Sequence, residues 1–310
     1  MRLSAVAAIP IERDAPIVTW FGVGGRADRL ARPRTTDELR ACLALDPSLR
    51  VLGDGANLLV DDDGVAELVV VLDAHAFRAA APTGERSGDA VIVRAGAGAK
   101  LPKLINESVR LGLAGLEGLG GIPATVGGAL VMNAGGAFGQ IADAVARVHA
   151  LDRNGRGVTL ERPDIDFGYR RSGLESLLLT ACDFALRPAD TRKLRARHLE
   201  VMEYKKRTQP LADRSAGCCF KNPTLDSAIE GIGLPGERVS AGRLIDRAGC
   251  KGLAVGSARV SDLHANFLVP ARDGRARDVI LLMELVERRV FDAFGVHLER
   301  EVVVWRRIGA

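Results

Sequence analysis

The chain has 310 residues, of which 47% are hydrophobic and 26% are charged. This length allows two or three domains with a full-sized core, and the hydrophobic content excludes global disorder. The net charge of +4 and an aromatic content of only 4% do not favour a nucleic-acid-binding protein, although a few basic side chains in one cleft would suit an anionic substrate.

The first apolar run, residues 5–11, is interrupted by Pro10 and followed by charged residues. It is too short to span a membrane and lacks the layout of a signal peptide, so we expect a cytoplasmic protein that does not bind membranes. A glycine turn at 20–27 then leads to a predicted strand at 28–31, and Thr36 opens a predicted helix that runs to about residue 45.

Residues 51–60 read as a strand, a Gly-x-Gly turn and a second apolar run. This pattern resembles half of a dinucleotide-binding fingerprint, but Leu58 stands where the third glycine belongs. A Rossmann unit for a nicotinamide cofactor is therefore not predicted. Two β-branched strands follow at 69–72 and 90–95, and a helix is predicted at 101–111.

Residues 115–139 are the least covered stretch of backbone in the chain. They include nine glycines, and Glu117 is their one charged residue. Glycine is favoured where the backbone adopts positive φ or approaches a ligand closely, above all a pyrophosphate bound by N–H groups. A set of tight turns is the alternative interpretation. The run is long and apolar for a surface loop, which favours ligand binding.

The middle of the chain predicts strands with few helices between them, which favours an α+β fold. A hairpin is predicted at 146–160 around an Asp-Arg-Asn-Gly turn, and a strand at 177–186 precedes a boundary near 188–190. The next helix, 191–207, carries a basic face that we expect to be solvated. Its predicted buried stripe is Leu194, Val201 and Met202, with His198 packed on the same side.

The last third begins with a predicted short strand, 217–223, which would place Cys218 and Cys219 on opposite faces. Residues 231–236 match Gly-x-Gly-x-x-Gly literally but are interrupted by proline, so a loop is predicted. Helices are expected at 241–248 and 276–294 and a strand at 265–269. Glu301 leads into an apolar strand, where its carboxylate would be ion-paired or partly desolvated.

Cysteine usage predicts neither a disulfide framework nor a metal site. The five cysteines form an odd set without CxxC spacing. They are Cys42, Cys182, Cys218, Cys219 and Cys250.

Several motifs in order resemble one enzyme family. They occupy residues 53–59, 121–129, 133–135, 169–172, 209–210, 216–223, 261–267 and 298–302. Each motif is weak alone, but their order over nearly the whole chain is similar to that of UDP-N-acetylenolpyruvoylglucosamine reductases. No room remains after residue 170 for the substrate-covering tyrosine loop of longer members, so the chain resembles the shorter, second type.

This resemblance implies an α+β fold with three parts. Two FAD-binding subdomains, 1–72 and 73–189, would be of the kind found in the vanillyl-alcohol oxidase superfamily, and residues 190–310 would form a substrate-binding domain. The implied reaction reduces the enolpyruvyl ether of UDP-N-acetylglucosamine to UDP-N-acetylmuramate, a peptidoglycan precursor. Hydride passes from NADPH to FAD and then to C3 of the enolpyruvyl group, and C2 takes a proton. The implied partners are thus NADPH and a UDP-sugar, and we expect a monomer.

The same resemblance assigns residues to FAD. Those from the first motif are Gly53, Asp54, Gly55, Ala56, Asn57 and Leu58. Those from the glycine-rich stretch are Gly121, Ile122, Pro123, Thr125, Val126, Gly127, Gly128, Asn133, Ala134 and Gly135.

Three residues match catalytic positions of the family. Arg170 and Glu301 would polarise the substrate carboxylate, Glu301 as a protonated acid. Cys218 stands where most members have a serine that protonates C2. A thiol, with an ordinary pKa of ~8.5, can donate a proton in place of the alcohol. Alternatively, Cys218 is only a small buried residue without a catalytic role. Cys219 is expected to pack in the core. Candidate substrate-binding residues are Tyr169, Lys206, Arg207, Lys221 and Asn222.

Two other functions stay open at this point. One is a different FAD enzyme of the same superfamily, such as an oxidase that returns electrons to oxygen. None of the five histidines lies in the glycine-rich stretch or the first motif, so covalent flavin attachment there is not predicted. The other is a non-catalytic nucleotide-binding protein.

Overall fold

The computed structural model describes residues 9–210 and 212–307. The strands are β1 Ile11–Pro16, β2 Arg26–Ala31, β3 Arg50–Leu52, β4 Leu58–Val60, β5 Val65–Val71, β6 Ala80–Ser87, β7 Ala90–Gly96, β8 Leu113–Ala114, β9 Gly135–Gly136, β10 Gly139–Gln140, β11 Val145–Leu151, β12 Gly157–Glu161, β13 Leu178–Pro188, β14 Ala254–Val255, β15 Ala258–Val260, β16 Leu268–Pro270 and β17 Val303–Trp305. The α-helices are α1 Thr36–Leu45, α2 His75–Arg78, α3 Leu101–Arg110, α4 Val126–Val131, α5 Thr191–Thr208, α6 Ala241–Arg247 and α7 Ala276–Phe294.

The described chain divides into two compact units, each built from separate segments. The first contains the described residues up to Ala15, then Asp28–Asp54 and Glu67–Lys205. The second contains Pro16–Ala27, Gly55–Ala66 and the described residues from Lys206 onward. Helix α5 thus belongs almost wholly to the first unit, although the sequence places a boundary at residue 190. The three-part division stays a prediction.

Two sheets dominate the first unit. One has the strand order β1-β2-β5-β3, and its β3–β5 pair is parallel. The other has the order β12-β11-β13-β7-β6 with antiparallel pairs, and β8 adds to β13. The predicted hairpin is β11–β12, where Leu151 pairs with Gly157.

Helices of the first unit bury apolar side chains at helical spacing. In α1, Thr35 caps the N-terminus by accepting a hydrogen bond from the Glu38 amide at 3.1 Å, and Leu39 and Leu43 are buried one turn apart. In α3, Leu101 and Ile105 are fully buried. These side chains join the strands in one hydrophobic cluster.

The second unit has its own core around α7. This helix buries Val279, Met283, Val286 and Val290 and ends at Gly295, whose φ of +68° is the left-handed conformation that glycine adopts without strain. Strands β14, β15 and β16 form an antiparallel sheet, and β17 pairs in parallel with β4. Because β17 pairs with β4, residues 55–66 belong to this unit although they come early in the sequence.

Most predicted elements are confirmed, and α7 has the predicted bounds. Three details were wrong. The predicted strand 265–269 begins only at Leu268, because Phe267 first closes a turn by donating its amide to the His264 carbonyl at 2.9 Å. Met202 is 37% exposed rather than buried. Residues 217–223 form no continuous strand, and Phe220 makes only an isolated bridge with Arg300.

Candidate functional site

The glycine-rich stretch includes a helix that sequence analysis missed. Thr125 caps α4, and its Oγ1 accepts a hydrogen bond from the Gly128 amide at 3.2 Å. The pair Gly127-Gly128 gives α4 a low intrinsic helix propensity. Burial of Val126 and Leu130 in the core offsets this cost.

The first unit brings the start of the first motif next to this helix. A Cβ atom built on Gly53 would lie 2.8 Å from Oγ1 of Thr125. Asp54 forms an ion pair with Lys100, the residue that precedes α3. Two segments predicted to bind the cofactor, which lie far apart in sequence, are thus neighbours in the fold.

The geometry of these segments fits a dinucleotide such as FAD. A Cβ on Gly53 would clash with Oγ1 of Thr125, and a Cβ on Gly127 would lie 3.1 Å from Cβ of Ala97, so both glycines let the first motif and α4 pack closely against their neighbours. Uncovered backbone beside the capped start of a helix suits the phosphates of a dinucleotide. The described residues that could hold FAD in this unit are Gly53, Asp54, Gly121, Thr125, Gly127 and Gly128.

The rest of the first motif lies in the second unit. Gly55 has a φ of +64°, and a Cβ there would lie 2.3 Å from the Val18 carbonyl oxygen. Asn57 donates from Nδ2 to the carbonyl oxygen of Glu301 at 2.9 Å, and its own carbonyl accepts from the Val303 amide at 3.1 Å. The side chain of Asn57 therefore positions the backbone of Glu301, a role that sequence analysis did not assign.

Arg170 occupies a tight turn in the first unit. Its φ of +54° is unusual for a residue other than glycine. The turn is closed by paired backbone hydrogen bonds between Gly168 and Arg171, of 2.9 and 3.2 Å. Nη1 of Arg170 donates to the carbonyl oxygen of Gly135 at 3.0 Å. The structure therefore joins the Tyr169-Arg170 turn to the end of the glycine-rich stretch.

Asn133 holds this turn in place. Its Nδ2 donates to the Gly168 carbonyl at 2.8 Å and to Oε1 of Gln140 at 3.0 Å, while its Oδ1 accepts from the Ala142 amide at 3.3 Å. The side chain is only 1% exposed. These bonds occupy the side-chain amide of Asn133, and its backbone amide donates to the Leu130 carbonyl at 3.0 Å, so the cofactor contact predicted for this residue stays a prediction.

The two adjacent cysteines have different environments in the second unit. Cys218 follows Gly217, which has a φ of +78°, and is half-buried. Cys219 is fully buried among apolar side chains, as predicted. Burial raises the pKa of the Cys219 thiol to about 12. Cys218 is therefore the more accessible thiol of the pair.

Backbone hydrogen bonds hold this cysteine segment beside Glu301. The amide of Glu301 donates to the carbonyl of Cys219 at 2.8 Å, and the amide of Cys219 donates to the carbonyl of Asn266 at 2.8 Å. These lateral bonds to two different segments explain why residues 217–223 do not form a regular strand. They place Cys218 and half-buried Glu301 on neighbouring segments of one unit.

Asn266 is a positioning residue that sequence analysis missed, although it lies in the motif at 261–267. Its Oδ1 accepts from the Phe220 amide at 2.9 Å and its Nδ2 donates to the Phe220 carbonyl at 2.8 Å. The side chain is 1% exposed. An amide has both donor and acceptor atoms, so Asn266 can replace a strand partner for one residue.

The predicted substrate-binding residues differ in how they are held. Lys221 pairs with Glu299 at 2.5 Å, and Oδ1 of Asn222 accepts from the Ala241 amide at 3.0 Å at the start of α6. Lys206 and Arg207 are exposed. Lys206 borders a cavity of about 480 Å³ in the second unit, and Tyr169 is half-buried under the Arg170 guanidinium at 5.4 Å from its ring centre.

Helix α5 lies against the glycine-rich stretch, which sequence analysis did not predict. A Cβ on Gly120 would lie 2.9 Å from Nδ1 of His198, which is packed as predicted. The Phe138 ring meets the Tyr204 ring edge-on at 5.3 Å, and the Arg197 guanidinium lies 4.6 Å from the Phe138 ring centre. One face of this basic helix therefore forms a wall of the candidate cofactor region.

Within residues 9–210 and 212–307, no cluster of three or more His, Cys, Asp or Glu side chains could hold a metal ion. Over the same residues, the structure contains no helix with the length and apolar character required to cross a membrane.

Comparison with family models gives two matches. Residues 27–161 match an FAD binding domain. Residues 209–305 match the C-terminal domain of UDP-N-acetylenolpyruvoylglucosamine reductase. The two matches confirm the predicted fold class, an FAD-binding region followed by a separate α+β domain.

Individual relatives carry the same name. The UDP-N-acetylenolpyruvoylglucosamine reductase of Syntrophobacter fumaroxidans is 43% identical over 92% of this chain and 80% of its own. That of Desulfosudis oleivorans is 41% identical over 97% of this chain and 96% of its own. The crystal structure of the Thermus caldophilus reductase is similar with a TM-score of 0.79 and 39% identity, over 96% of this chain and all of that one.

Proposed function

The chain belongs to the UDP-N-acetylenolpyruvoylglucosamine reductases, which are FAD-dependent oxidoreductases, and we propose that it uses NADPH to reduce UDP-N-acetylglucosamine enolpyruvate to UDP-N-acetylmuramate. The reaction would supply a peptidoglycan precursor and take place in the cytoplasm. Every residue to which we assign a catalytic role belongs to this one chain, so a monomer would suffice.

The observation that supports this proposal most is the contrast between the two cysteines beside Glu301. The half-buried thiol of Cys218 follows a left-handed glycine, and the backbone of its neighbour accepts the Glu301 amide. A non-catalytic nucleotide-binding protein would have no need for an accessible thiol and a carboxyl group on adjoining segments.

Bound FAD would supply the redox chemistry, taking a hydride from NADPH and delivering it to C3 of the enolpyruvyl group. Addition at C3 places negative charge on C2 and on the substrate carboxylate. We assign Arg170 to stabilise that charge, because its guanidinium is always cationic and is held by the Gly135 carbonyl. Glu301, as a protonated acid, would donate a hydrogen bond to the same carboxylate.

Cys218 would protonate C2 to complete the reduction. A thiol with an ordinary pKa of ~8.5 is mostly protonated at neutral pH and is a stronger acid than the serine hydroxyl it replaces. Cys219 is poorly suited to this role because its thiol is fully buried and its pKa is raised to about 12.

The decisive experiment is anaerobic reduction followed by reoxidation. NADPH should bleach the flavin absorbance of the purified holoprotein, and one equivalent of the enolpyruvyl substrate should restore it with formation of one UDP-N-acetylmuramate. Reoxidation by oxygen but not by the enolpyruvyl substrate would instead identify an oxidase. Absence of flavin from the protein would contradict both.

A further inference from the structure

Lys100 connects the two predicted cofactor segments of the first unit. Its backbone forms an isolated antiparallel bridge with Thr125, the cap of α4. Its ammonium group forms an ion pair with Asp54 in the first motif. The circuit closes at Gly53, where a Cβ atom would lie 2.8 Å from Oγ1 of Thr125. A residue that sequence analysis did not assign therefore contacts both segments.

Hydrogen bonds on both sides of this bridge fix the backbone of Lys100. The amide of Leu101 donates to the carbonyl of Ala124 at 2.9 Å. The amide of Val126 donates to the carbonyl of Ala99 at 2.9 Å. Because these bonds are made by the backbone, a substitution of Lys100 removes its charge and leaves the bridge in place.

Lys100 is an unfavourable residue for its position at the start of α3. It immediately precedes the helix, and its side chain makes no capping hydrogen bond. Serine, threonine, aspartate and asparagine stabilise this position, whereas a cation there meets the positive end of the helix dipole. Local helix stability therefore does not account for this lysine. Its ion pair with Asp54 shows where its charge is used.

Asp54 places a negative charge in a segment that is predicted to bind an anionic cofactor. The side chains of Asp54 and Lys100 are 22% and 39% exposed, so solvent screens their charges only in part. The diphosphate of FAD is an anion, and an unpaired carboxylate beside it would repel it. With Lys100 present the local charge is balanced, and the uncovered backbone of the motif can receive a diphosphate.

We propose that Lys100 neutralises Asp54 so that the diphosphate of FAD binds beside the first motif. Lys100 is a positioning residue for the cofactor, because it acts through Asp54 and not through a contact of its own with FAD. The inference concerns the FAD site and does not depend on the substrate proposed above. It has a specific consequence, which is that Lys100 is required only while residue 54 carries a negative charge.

Release of FAD from diluted holoprotein, followed by the fluorescence of the free flavin, tests this dependence. Each variant is saturated with FAD before dilution. Lys100→Met should release FAD ~10-fold faster or more, as expected for like charges in a partly desolvated site. Asp54→Asn should stay within ~3-fold of wild type, and the double variant should return to the same range, because no charge remains to be neutralised.

Two single variants serve as controls. Lys100→Arg keeps the cation and should hold FAD as wild type does. Lys103→Met removes an exposed lysine from the first turn of the same helix and should also behave as wild type. In Lys100→Met, a higher ionic strength should slow the release of FAD relative to wild type, because salt screens the repulsion between Asp54 and the diphosphate.

Three outcomes would overturn the proposal. A double variant that releases FAD as fast as Lys100→Met would show that Lys100 acts on the cofactor without Asp54. Wild-type release from Lys100→Met would leave the ion pair a structural role. The same salt dependence in Lys100→Met and wild type would exclude repulsion as the cause.

The double variant keeps the test decisive if Lys100→Met alone cannot be purified. Wild-type release of FAD from the double variant would show that the charge of Asp54 is what Lys100 offsets, and fast release would contradict it. These measurements use FAD without NADPH or a UDP-sugar. Their failure is therefore distinct from failure of the proposed function.

Discussion

Cys218 and Cys219 are chemically identical side chains with different environments. Gly217 turns the backbone so that Cys218 stays half-buried, while Cys219 lies fully inside the core of the second unit. Because a thiol in an apolar core resists ionisation, the pKa of Cys219 rises to about 12. The two positions therefore allow a paired test of the proton donor.

Replacing Cys218 distinguishes proton transfer from packing. Cys218→Ser should remain active, since a hydroxyl can donate the proton. Cys218→Ala should lose product formation by ~100-fold or more, the usual effect of a lost general acid, while the flavin is still reduced by NADPH. Steady-state formation of UDP-N-acetylmuramate and anaerobic flavin bleaching measure the two effects. Full turnover by Cys218→Ala would exclude the cysteine from the mechanism.

Cys219→Ala is the matched control. It removes a buried sulfur and should lower the free energy of unfolding by about 1 kcal/mol, measured by urea titration, with product formation retained. If Cys219→Ala loses product formation while Cys218→Ala keeps it, Cys219 is the proton donor and the assignment to Cys218 is wrong.

Three strands of the larger sheet meet at a buried carboxylate. Asp183 on β13 accepts hydrogen bonds from Arg94 on β7 at 2.6 and 2.8 Å, and His149 on β11 lies 3.1 Å away. Burial of Asp183 raises its pKa, but the hydrogen bonds from Arg94 and His149 outweigh burial and hold the pKa below its ordinary value. The folded chain thus binds this proton less readily than the unfolded chain.

The stabilising contribution of Asp183 is therefore present above the unfolded pKa of ~3.9 and is lost as the pH falls below it. Asp183→Asn should lower the free energy of unfolding at pH 7 by about 2 kcal/mol, because the hydrogen bonds from Arg94 and His149 lose their charged acceptor. The difference in the free energy of unfolding between Asp183→Asn and wild type should decrease at acidic pH. Urea unfolding at several pH values measures this difference. Asp89→Asn, which removes an exposed partner of Arg187 on the same strand, should change stability by less than about 0.5 kcal/mol. Equal stability of Asp183→Asn and wild type at pH 7 would refute the argument.

The cap of α4 connects helix stability to cofactor binding. Thr125→Ala should cost about 1 kcal/mol of stability by removing the hydrogen bond to the Gly128 amide, and the purified protein should contain less FAD because the helix start beside Gly53 frays. Thr125→Ser keeps the oxygen and should retain both properties. The flavin absorbance per chain measures the FAD content, and thermal unfolding measures the stability. An FAD content in Thr125→Ala equal to wild type would separate the helix start from the cofactor.

Elements with strong periodicity could be predicted from the sequence, and elements fixed by tertiary contacts could not. Helix α7 has its apolar positions at helical spacing and a glycine after its end, so its bounds were predicted correctly. Helix α4 contains Gly127-Gly128 and is stabilised by burial instead. Strand β6 is exposed along its whole length, so it has no apolar alternation from which to predict it.

The family and the fold class could be predicted from motifs in order, and the matches at 27–161 and 209–305 confirm both. The positioning residues could not be predicted in the same way. Asn57, Asn133 and Asn266 act through hydrogen bonds to backbone atoms 244, 35 and 46 residues away. Sequence spacing gives no signal for such contacts. Both units are also built from separate segments of the chain, and sequence spacing does not indicate this either.

FAD should stabilise the whole molecule, because a ligand that binds only the folded chain shifts the folding equilibrium toward it. Removal of FAD should lower the Tm and raise hydrogen exchange at residues 115–139. Added FAD at 100 times its Kd should restore about 2.7 kcal/mol. FMN, which has one phosphate and no adenosine, should restore much less, because the diphosphate contacts of the glycine backbone would be lost. Equal rescue by FMN, or exchange at 115–139 that does not respond to FAD, would show that this stretch does not hold the dinucleotide.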